Sequence, residues 1–186
     1  MRILGIAGSL RRGSHNRKLL RAAAYALPPE WELVEWRGLK DLPAFDEDLE
    51  SGDVPTSVQE LRDAIADADA VLIATPEYNA SVPGALKNAL DWASRPHGLS
   101  PLAGKPVAVI SSSPSPFGAT WAGESLRRAL SLSGAQVVDG ELAIGKVSEL
   151  FENGELADSA ARARIGRLVE ELAETVAATE VSAVAA

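Results

Sequence analysis

Short apolar runs alternate along the chain with longer segments whose apolar residues recur every three or four positions. The short runs predict strands, because continuous apolar stretches of this length are typical of strands buried on both faces of a parallel sheet. The longer segments predict amphipathic helices. We expect strands over residues 3–7, 31–36, 70–75, 107–112 and 136–138, and helices over 16–27, 56–68, 83–95 and 121–133, with a last helix marked by Ile165, Leu168, Val169, Leu172 and Val176.

This order of elements predicts an α/β fold, because right-handed crossovers place helices on both faces of a parallel sheet. Five strands give a doubly wound sheet, formed by one domain over residues 1–177 with a loose tail at 178–186. Thr56 and Gln59 have the spacing of a capping box at the start of the second helix. The polar segment 37–55 is long for a connection inside a compact domain, so it is a candidate functional loop.

The 186 residues contain no cysteine and only two histidines, His15 and His97. These counts exclude thiolate nucleophiles and Cys-ligated metals, and we expect no metal site. Redox chemistry would therefore need an organic cofactor. No apolar run approaches the ~20 residues of a membrane helix, and the first strand follows Met1 and Arg2 without signal-peptide architecture. The expected location is the cytoplasm, with no membrane partner.

A net charge of -8 argues against a nucleic-acid partner, because broad phosphate binding needs clustered basic residues. Positive charge is nevertheless concentrated near the first loop. Such a cluster in an acidic protein is typical of a small anion site, and its members are Arg11, Arg12, Arg17, Lys18 and Arg21.

The loops after residues 7, 75 and 112 should converge, because ligands of doubly wound sheets bind beyond the carboxyl ends of the strands. The first loop, residues 8–16, leads into a helix N-terminus, where free N–H groups favour an anion. Ser9, Ser14, Asn16 and Arg11 add donors. Its glycine spacing fits neither a dinucleotide fingerprint nor a Walker loop. The alternative is that Ser14 or Asn16 only caps the helix and the arginines are solvated.

The second loop, residues 76–84, has proline near both ends and many hydrogen-bonding groups. It could border a flavin ring, or it could be an ordinary turn that sets up the next helix. The third loop, residues 112–119, offers hydroxyl groups and Gly118, although a Ser-Pro-Ser-Pro run is often only a stiff surface loop. We expect His15 to line the first loop rather than act as a base, and His97 to be solvated. We do not expect Glu77 to donate or accept a proton in the reaction.

Two motifs in these loops closely resemble the NADPH-dependent FMN reductase family. They are Gly8-Ser9-Leu10-Arg11-x-Gly13-Ser14-x-Asn16 and Pro76-Glu77-Tyr78-Asn79-x-Ser81-x-Pro83-Gly84-x-Leu86-Lys87-Asn88-Ala89-x-Asp91-Trp92. The resemblance covers about residues 3–132 and implies a flavodoxin-like sheet of order 2-1-3-4-5. Many members have paired glycines where this chain has Gly118-Ala119, followed closely by Trp121, so the chain departs from the family pattern on that side.

The resemblance also implies the cofactor-binding residues. The FMN phosphate would be surrounded by Ser9, Leu10, Arg11, Arg12, Gly13, Ser14, His15 and Asn16. The ring would be bordered by Pro76, Glu77, Tyr78 and Asn79, and Ser112 would approach from the third loop. No protein residue is expected to be catalytic, because the flavin carries the chemistry.

The implied activity is transfer of a hydride from NADPH or NADH to bound FMN, and then of electrons to a small acceptor such as a quinone, free flavin, azo compound or chromate. One alternative is an FMN electron carrier of the flavodoxin type. Another is a fold relative that has lost flavin and acts in protein interaction.

A homodimer or homotetramer is expected from the resemblance and from the helix over residues 83–95. Its apolar residues, which include Leu86, Leu90 and Trp92, cover more of its circumference than one stripe against a sheet requires. Either a second subunit covers the extra surface, or the 37–55 segment folds over it.

Overall fold

The computed structural model describes residues 1–184, with side chains described as far as Thr179. The strands are β1 (Arg2–Ala7), β2 (Glu32–Trp36), β3 (Ala70–Thr75), β4 (Pro106–Ser112), β5 (Gln136–Val137), β6 (Leu142–Ile144), β7 (Phe151–Glu152) and β8 (Glu155–Leu156). The helices are α1 (His15–Ala26), α2 (Glu47–Ser51), α3 (Thr56–Ala66), α4 (Gly84–Ala93), α5 (Thr120–Leu132) and α6 (Ser159–Val184). Short 3₁₀ turns lie at Gly38–Lys40 and Val147–Glu149.

The main sheet is parallel and has the order β2-β1-β3-β4-β5, which confirms the predicted topology. Alternate residues of its central strands point to opposite faces. One face packs against α1 and α6, and the other packs against α3, α4 and α5. The near-continuous burial of β1, β3 and β4 explains why their sequences are largely apolar.

A sixth strand, β6, was not predicted. It pairs with the same edge of β4 as β5 does, but further along: Val137 lies opposite Val107, and Leu142 lies opposite Ile110. Between these two pairs, the chain of β5 and β6 advances two residues more than β4 does, so the pairing along this edge of β4 is interrupted. Arg127 of α5 stabilises the interruption, because its guanidinium donates to the carbonyls of residues 138, 139 and 140 at 2.6 to 3.2 Å. An apolar run of three residues is too short to stand out as a strand.

The 37–55 segment folds over α4. Of the two explanations for the apolar surface of this helix, coverage by that segment is therefore correct. Trp92 is fully buried, donates from Nε1 to the Pro43 carbonyl at 2.9 Å, and meets the Phe45 ring edge-on at 4.9 Å. Asn88 donates to the same carbonyl and accepts from the Phe45 amide, both at 2.8 Å. Arg62 holds the far end of the segment through Glu50, at 3.7 Å. The apolar surface of α4 is covered within one chain, and the inference of an interface from it was wrong.

One further local prediction was wrong. Thr56 and Gln59 form no capping box, since Pro55 occupies the N-cap position and the Gln59 side chain donates instead to Asp63, four residues on, at 2.7 Å. Residues 178–184 form the last two turns of α6, and the loose tail over 178–186 stays a prediction. Residues 185 and 186 lie outside the described residues. Thr179 donates to Gln136 at 2.8 Å and so attaches this part of α6 to β5.

Among the residues that the structure describes, no helix combines the length and apolar character needed to cross a membrane.

Candidate functional site

The three predicted loops meet at the carboxyl edge of the sheet, after β1, β3 and β4. Between them lies a cavity of about 170 Å³, lined by Ser9, Arg11, Ser14, His15, Asn16, Pro76, Tyr78, Ser112, Pro114 and Val147. No acidic residue is among these lining residues, although the chain carries a net charge of -8. The cavity therefore offers hydroxyl, amide and cationic groups without a carboxylate to repel an anion.

The first loop turns the chain directly into α1. Ser14 is the N-cap, with its hydroxyl accepting from the Arg17 amide at 3.4 Å and its own amide donating to the Arg11 carbonyl at 3.1 Å. The amides of the first helical turn have no partner within the helix, and the helix dipole makes this end positive. Arg11 donates to the Gly13 carbonyl at 3.3 Å, which folds its side chain back along the loop. These groups favour an anion of phosphate size.

A buried hydrogen bond joins the first loop to the third. The Ser112 hydroxyl donates to the Asn16 side-chain oxygen at 2.9 Å, and both residues are almost fully buried. Because a buried polar pair is costly to break, this contact fixes the start of α1 against the end of β4.

The predicted basic cluster is divided among several contacts. Arg17 forms an ion pair with Glu35 of β2 at 2.7 Å, and Lys18 lies 5.1 Å over the Phe151 ring. Arg11 lines the cavity, whereas Arg12 is exposed and does not. The charge available to an anion in the cavity comes mainly from Arg11 and the helix end.

His15 begins α1 at the edge of the cavity. Its Nε2 lies 3.4 Å from the Ser148 hydroxyl, and its ring lies 5.8 Å from the Phe151 ring. Burial lowers the pKa of His15 below its usual 6.5, and the charges of Lys18 and Arg11 lower it further. The imidazole is therefore neutral near pH 7, as expected for a residue that lines the site rather than carrying a charge there.

The second loop is a tight hairpin turn. Tyr78 and Ser81 exchange backbone hydrogen bonds at 2.9 and 3.2 Å, and Asn79 and Ala80 between them both have positive φ, at 51° and 58°. Asn tolerates this conformation better than most residues, but Ala80 is strained by it. The turn holds Tyr78 half-exposed over the cavity.

The third loop is tied to the chain on both sides. Ser111 at the end of β4 donates to the Gly118 carbonyl at 2.9 Å, and the Ser115 carbonyl accepts from the Lys146 amide at 2.9 Å. Gly118 has φ +67°, and a Cβ there would lie 2.9 Å from backbone atoms of Ala143 and Ile144. Ala119, which replaces the second glycine common in the family, has φ +64°. The backbone at this position therefore adopts the left-handed conformation that glycine favours, although the residue is alanine.

Eight of the thirteen predicted site residues line the cavity. The cavity is not lined by the other five, which are Leu10, Arg12, Gly13, Glu77 and Asn79. The Glu77 side chain contacts the backbone of α5 instead, and the other four residues are exposed on their loops. Sequence reasoning missed Pro114 and Val147. Pro114 follows Ser112 closely and lay inside the predicted third loop. Val147 follows β6, so only recognition of that short strand could have placed it at the carboxyl edge.

Larger depressions lie elsewhere on the described surface. One of about 430 Å³ between β5 and α6 is lined in part by Asp139, Glu171 and Glu174. These carboxylates would repel a phosphate, and the depression lies beside the edge strand β5 rather than at the ends of β1, β3 and β4. In the described part of the chain, no group of three or more acidic or histidine side chains is arranged to hold a metal ion.

Residues 1–149 match the family model described as NADPH-dependent FMN reductase. The chain belongs to this family. Membership confirms the prediction of an oxidoreductase that uses FMN and a reduced nicotinamide nucleotide.

Relatives of the chain cover most of its length. A quinone reductase of Pseudomonas putida is 43% identical over 157 residues, or 82% of this chain and 83% of that protein. An NAD(P)H-dependent FMN reductase of Pseudomonas aeruginosa is 38% identical over 174 residues, or 92% and 93%. Among solved structures, the flavoenzyme NAD(P)H:(acceptor) oxidoreductase FerB of Paracoccus denitrificans has a TM-score of 0.87 and 34% identity, covering 96% of this chain and 98% of that one.

The residues of the cavity fit the cofactor of this FMN reductase family. The hydroxyls of Ser9 and Ser14, the free amides at the start of α1 and the Arg11 guanidinium are the donor set that a phosphate dianion requires. Tyr78 and Pro76 supply an apolar border beside them.

Proposed function

We propose that this chain is an FMN-dependent NAD(P)H oxidoreductase whose acceptor is a small quinone. The observation that carries the proposal is the convergence of the three loops on one cavity, with a phosphate-binding donor set from the first loop and the side chains of Pro76 and Tyr78 from the second. FMN, when bound, accepts a hydride from the nicotinamide and passes electrons on, which no side chain of this cysteine-free protein can do.

The chain's own residues bind and orient. Ser9, Ser14 and Arg11 would hold the phosphate, and the hairpin turn at Tyr78 would border the ring. Ser112 supports this arrangement through Asn16, because their buried hydrogen bond fixes two of the loops relative to each other. We assign no side chain as a proton donor or acceptor in the reaction.

A planar conjugated acceptor such as a quinone suits the exposed aromatic side chains of the second and third loops and of α5. Tyr78, Phe117 and Trp121 are 52%, 80% and 63% exposed, and all three belong to the second loop, the third loop or the helix that follows. Aromatic faces stack on planar rings. The name of the Pseudomonas putida relative favours a quinone over the other acceptors of the family.

We also propose that the working unit is a homodimer or homotetramer. With α4 covered, support comes from the exposed apolar side chains around the site, which include Leu10, Phe117 and Trp121. Isolated exposed apolar residues are common, but a group around a ligand site is typical of an interaction surface. Light scattering at micromolar concentration tests the proposal, and a monomer with full turnover would refute it. A location in the cytoplasm stays a prediction.

The activity is tested by NAD(P)H oxidation with the FMN-loaded protein and a panel of acceptors. We expect a simple benzoquinone to give a higher kcat/KM than an azo dye, chromate or free FMN. Equal or faster turnover with one of those acceptors would refute the quinone assignment. Reduction of bound FMN that depends only on a protein donor, with no response to NAD(P)H, would favour the flavodoxin-type carrier.

A further inference from the structure

The N-terminus of α5 lacks a cap of its own. Ala119 at the N-cap position has no side-chain oxygen, its φ is +64°, and the first turn contains no acidic residue. The Ala122 amide, at the third helical position, has no partner within the helix. Ala122 is fully buried, so its N–H needs a partner from elsewhere in the chain.

That partner comes from the second loop. The Glu77 carboxylate accepts from the Ala122 amide at 3.2 Å, across 45 residues of sequence. A carboxylate suits this position, because it both satisfies the amide and places a negative charge at the positive end of the helix dipole.

The anchor of this contact is rigid. Glu77 directly precedes the hairpin turn whose backbone hydrogen bonds join Tyr78 and Ser81, and it directly follows Pro76. The other side of the α5 N-terminus is held by Ser111, whose hydroxyl donates to the Gly118 carbonyl and lies 3.0 Å from where a Cβ of Gly123 would be. The start of α5 is therefore clamped between Ser111 and Glu77.

From this geometry we infer that Glu77 is a positioning residue that sets the third loop and the start of α5 relative to the second loop. It would thereby fix the spacing between Tyr78 on one side and Phe117 and Trp121 on the other, where the acceptor is proposed to enter. This functional part of the inference rests on the proposed function. The contact between Glu77 and the α5 backbone does not.

The first test uses the FMN-free protein and the exchange rate of the Ala122 amide hydrogen, measured by NMR. Glu77→Ala should speed this exchange roughly tenfold, because the amide loses its only described partner. Glu77→Gln keeps an oxygen acceptor and should stay within about threefold of the wild type. Glu124→Ala is the matched control, since it removes an exposed carboxylate of the same helix for which no contact is described. Unchanged exchange in Glu77→Ala would overturn the contact.

The second test measures steady-state turnover with NADPH and a benzoquinone at saturating FMN. Glu77→Ala should raise the KM for the quinone several-fold with kcat changed less, and Glu77→Gln should restore the KM. Faster exchange without a change in KM would reduce Glu77 to a helix cap and overturn its positioning role, as would failure of Glu77→Gln to rescue. If the wild type itself gave no quinone turnover, the proposed function would fail, while the exchange data would still decide the contact.

Discussion

Replacing Arg11 with alanine should weaken FMN binding by about tenfold, whereas replacing its neighbour Arg12 should have little effect. Arg11 lines the cavity and Arg12 does not. A hydrogen bond to a charged group contributes roughly 1.5–3 kcal/mol. We expect the lower end, since Arg11 is an exposed residue and water screens its charge. About 1.4 kcal/mol corresponds to tenfold in affinity.

Arg12 is exposed and does not line the cavity, so water and salt would screen the effect of its charge on the phosphate. Its replacement should therefore change the dissociation constant by less than about twofold. The two variants carry the same net charge, so their comparison separates a local contact from the overall charge of the protein.

The assay is titration of the FMN-free proteins, followed by the change in flavin fluorescence. Riboflavin provides a second control, because it has the same ring without the phosphate. Arg11→Ala should leave riboflavin affinity unchanged while it weakens FMN binding. Equal FMN affinity of wild type and Arg11→Ala, or an equal loss for FMN and riboflavin, would refute the placement of the phosphate beside Arg11.

Three further substitutions test the fold around the site. Gly118→Ala should lower the melting temperature sharply, because its Cβ would collide with backbone at a positive φ, whereas Gly13→Ala, with nothing within 4 Å, should not; equal melting temperatures would contradict this. Asn88→Ala should cost about 1–2 kcal/mol in a denaturant titration, because the part-buried Phe45 amide loses its partner while the Pro43 carbonyl keeps only Trp92, and an unchanged midpoint would show that the 37–55 segment is held otherwise. Since the pKa of His15 is lowered in the fold, the unfolded chain binds its proton first on acidification, so wild type should lose more stability than His15→Asn between about pH 7 and about pH 5; equal losses would contradict it.

The central strands and the three loops were predictable because burial on both faces of a parallel sheet leaves an uninterrupted apolar signature. The ends of β3 and β4 coincide with their predicted ends at Thr75 and Ser112, and these ends locate the site. The resemblance of the two loop motifs then supplied the cofactor, which local chemistry alone left open.

The remaining features depend on contacts between distant residues. The 37–55 segment is polar in sequence, yet Leu39 and Phe45 within it pack against α4, and nothing local distinguishes that outcome from a second subunit. The same is true of Glu77, whose partner at Ala122 is a backbone amide with no sequence signature. Side-chain direction in a loop is set by tertiary packing, so a motif identifies the loop but not which of its members face the cavity.

The most direct test of the central claim is the visible absorption spectrum of the FMN-loaded protein under anaerobic conditions. We predict that added NADPH or NADH bleaches the flavin band and that a benzoquinone then restores it, with one quinone consumed for each bound FMN. A protein that binds no FMN, or whose bound FMN stays yellow with both nucleotides, would contradict the account.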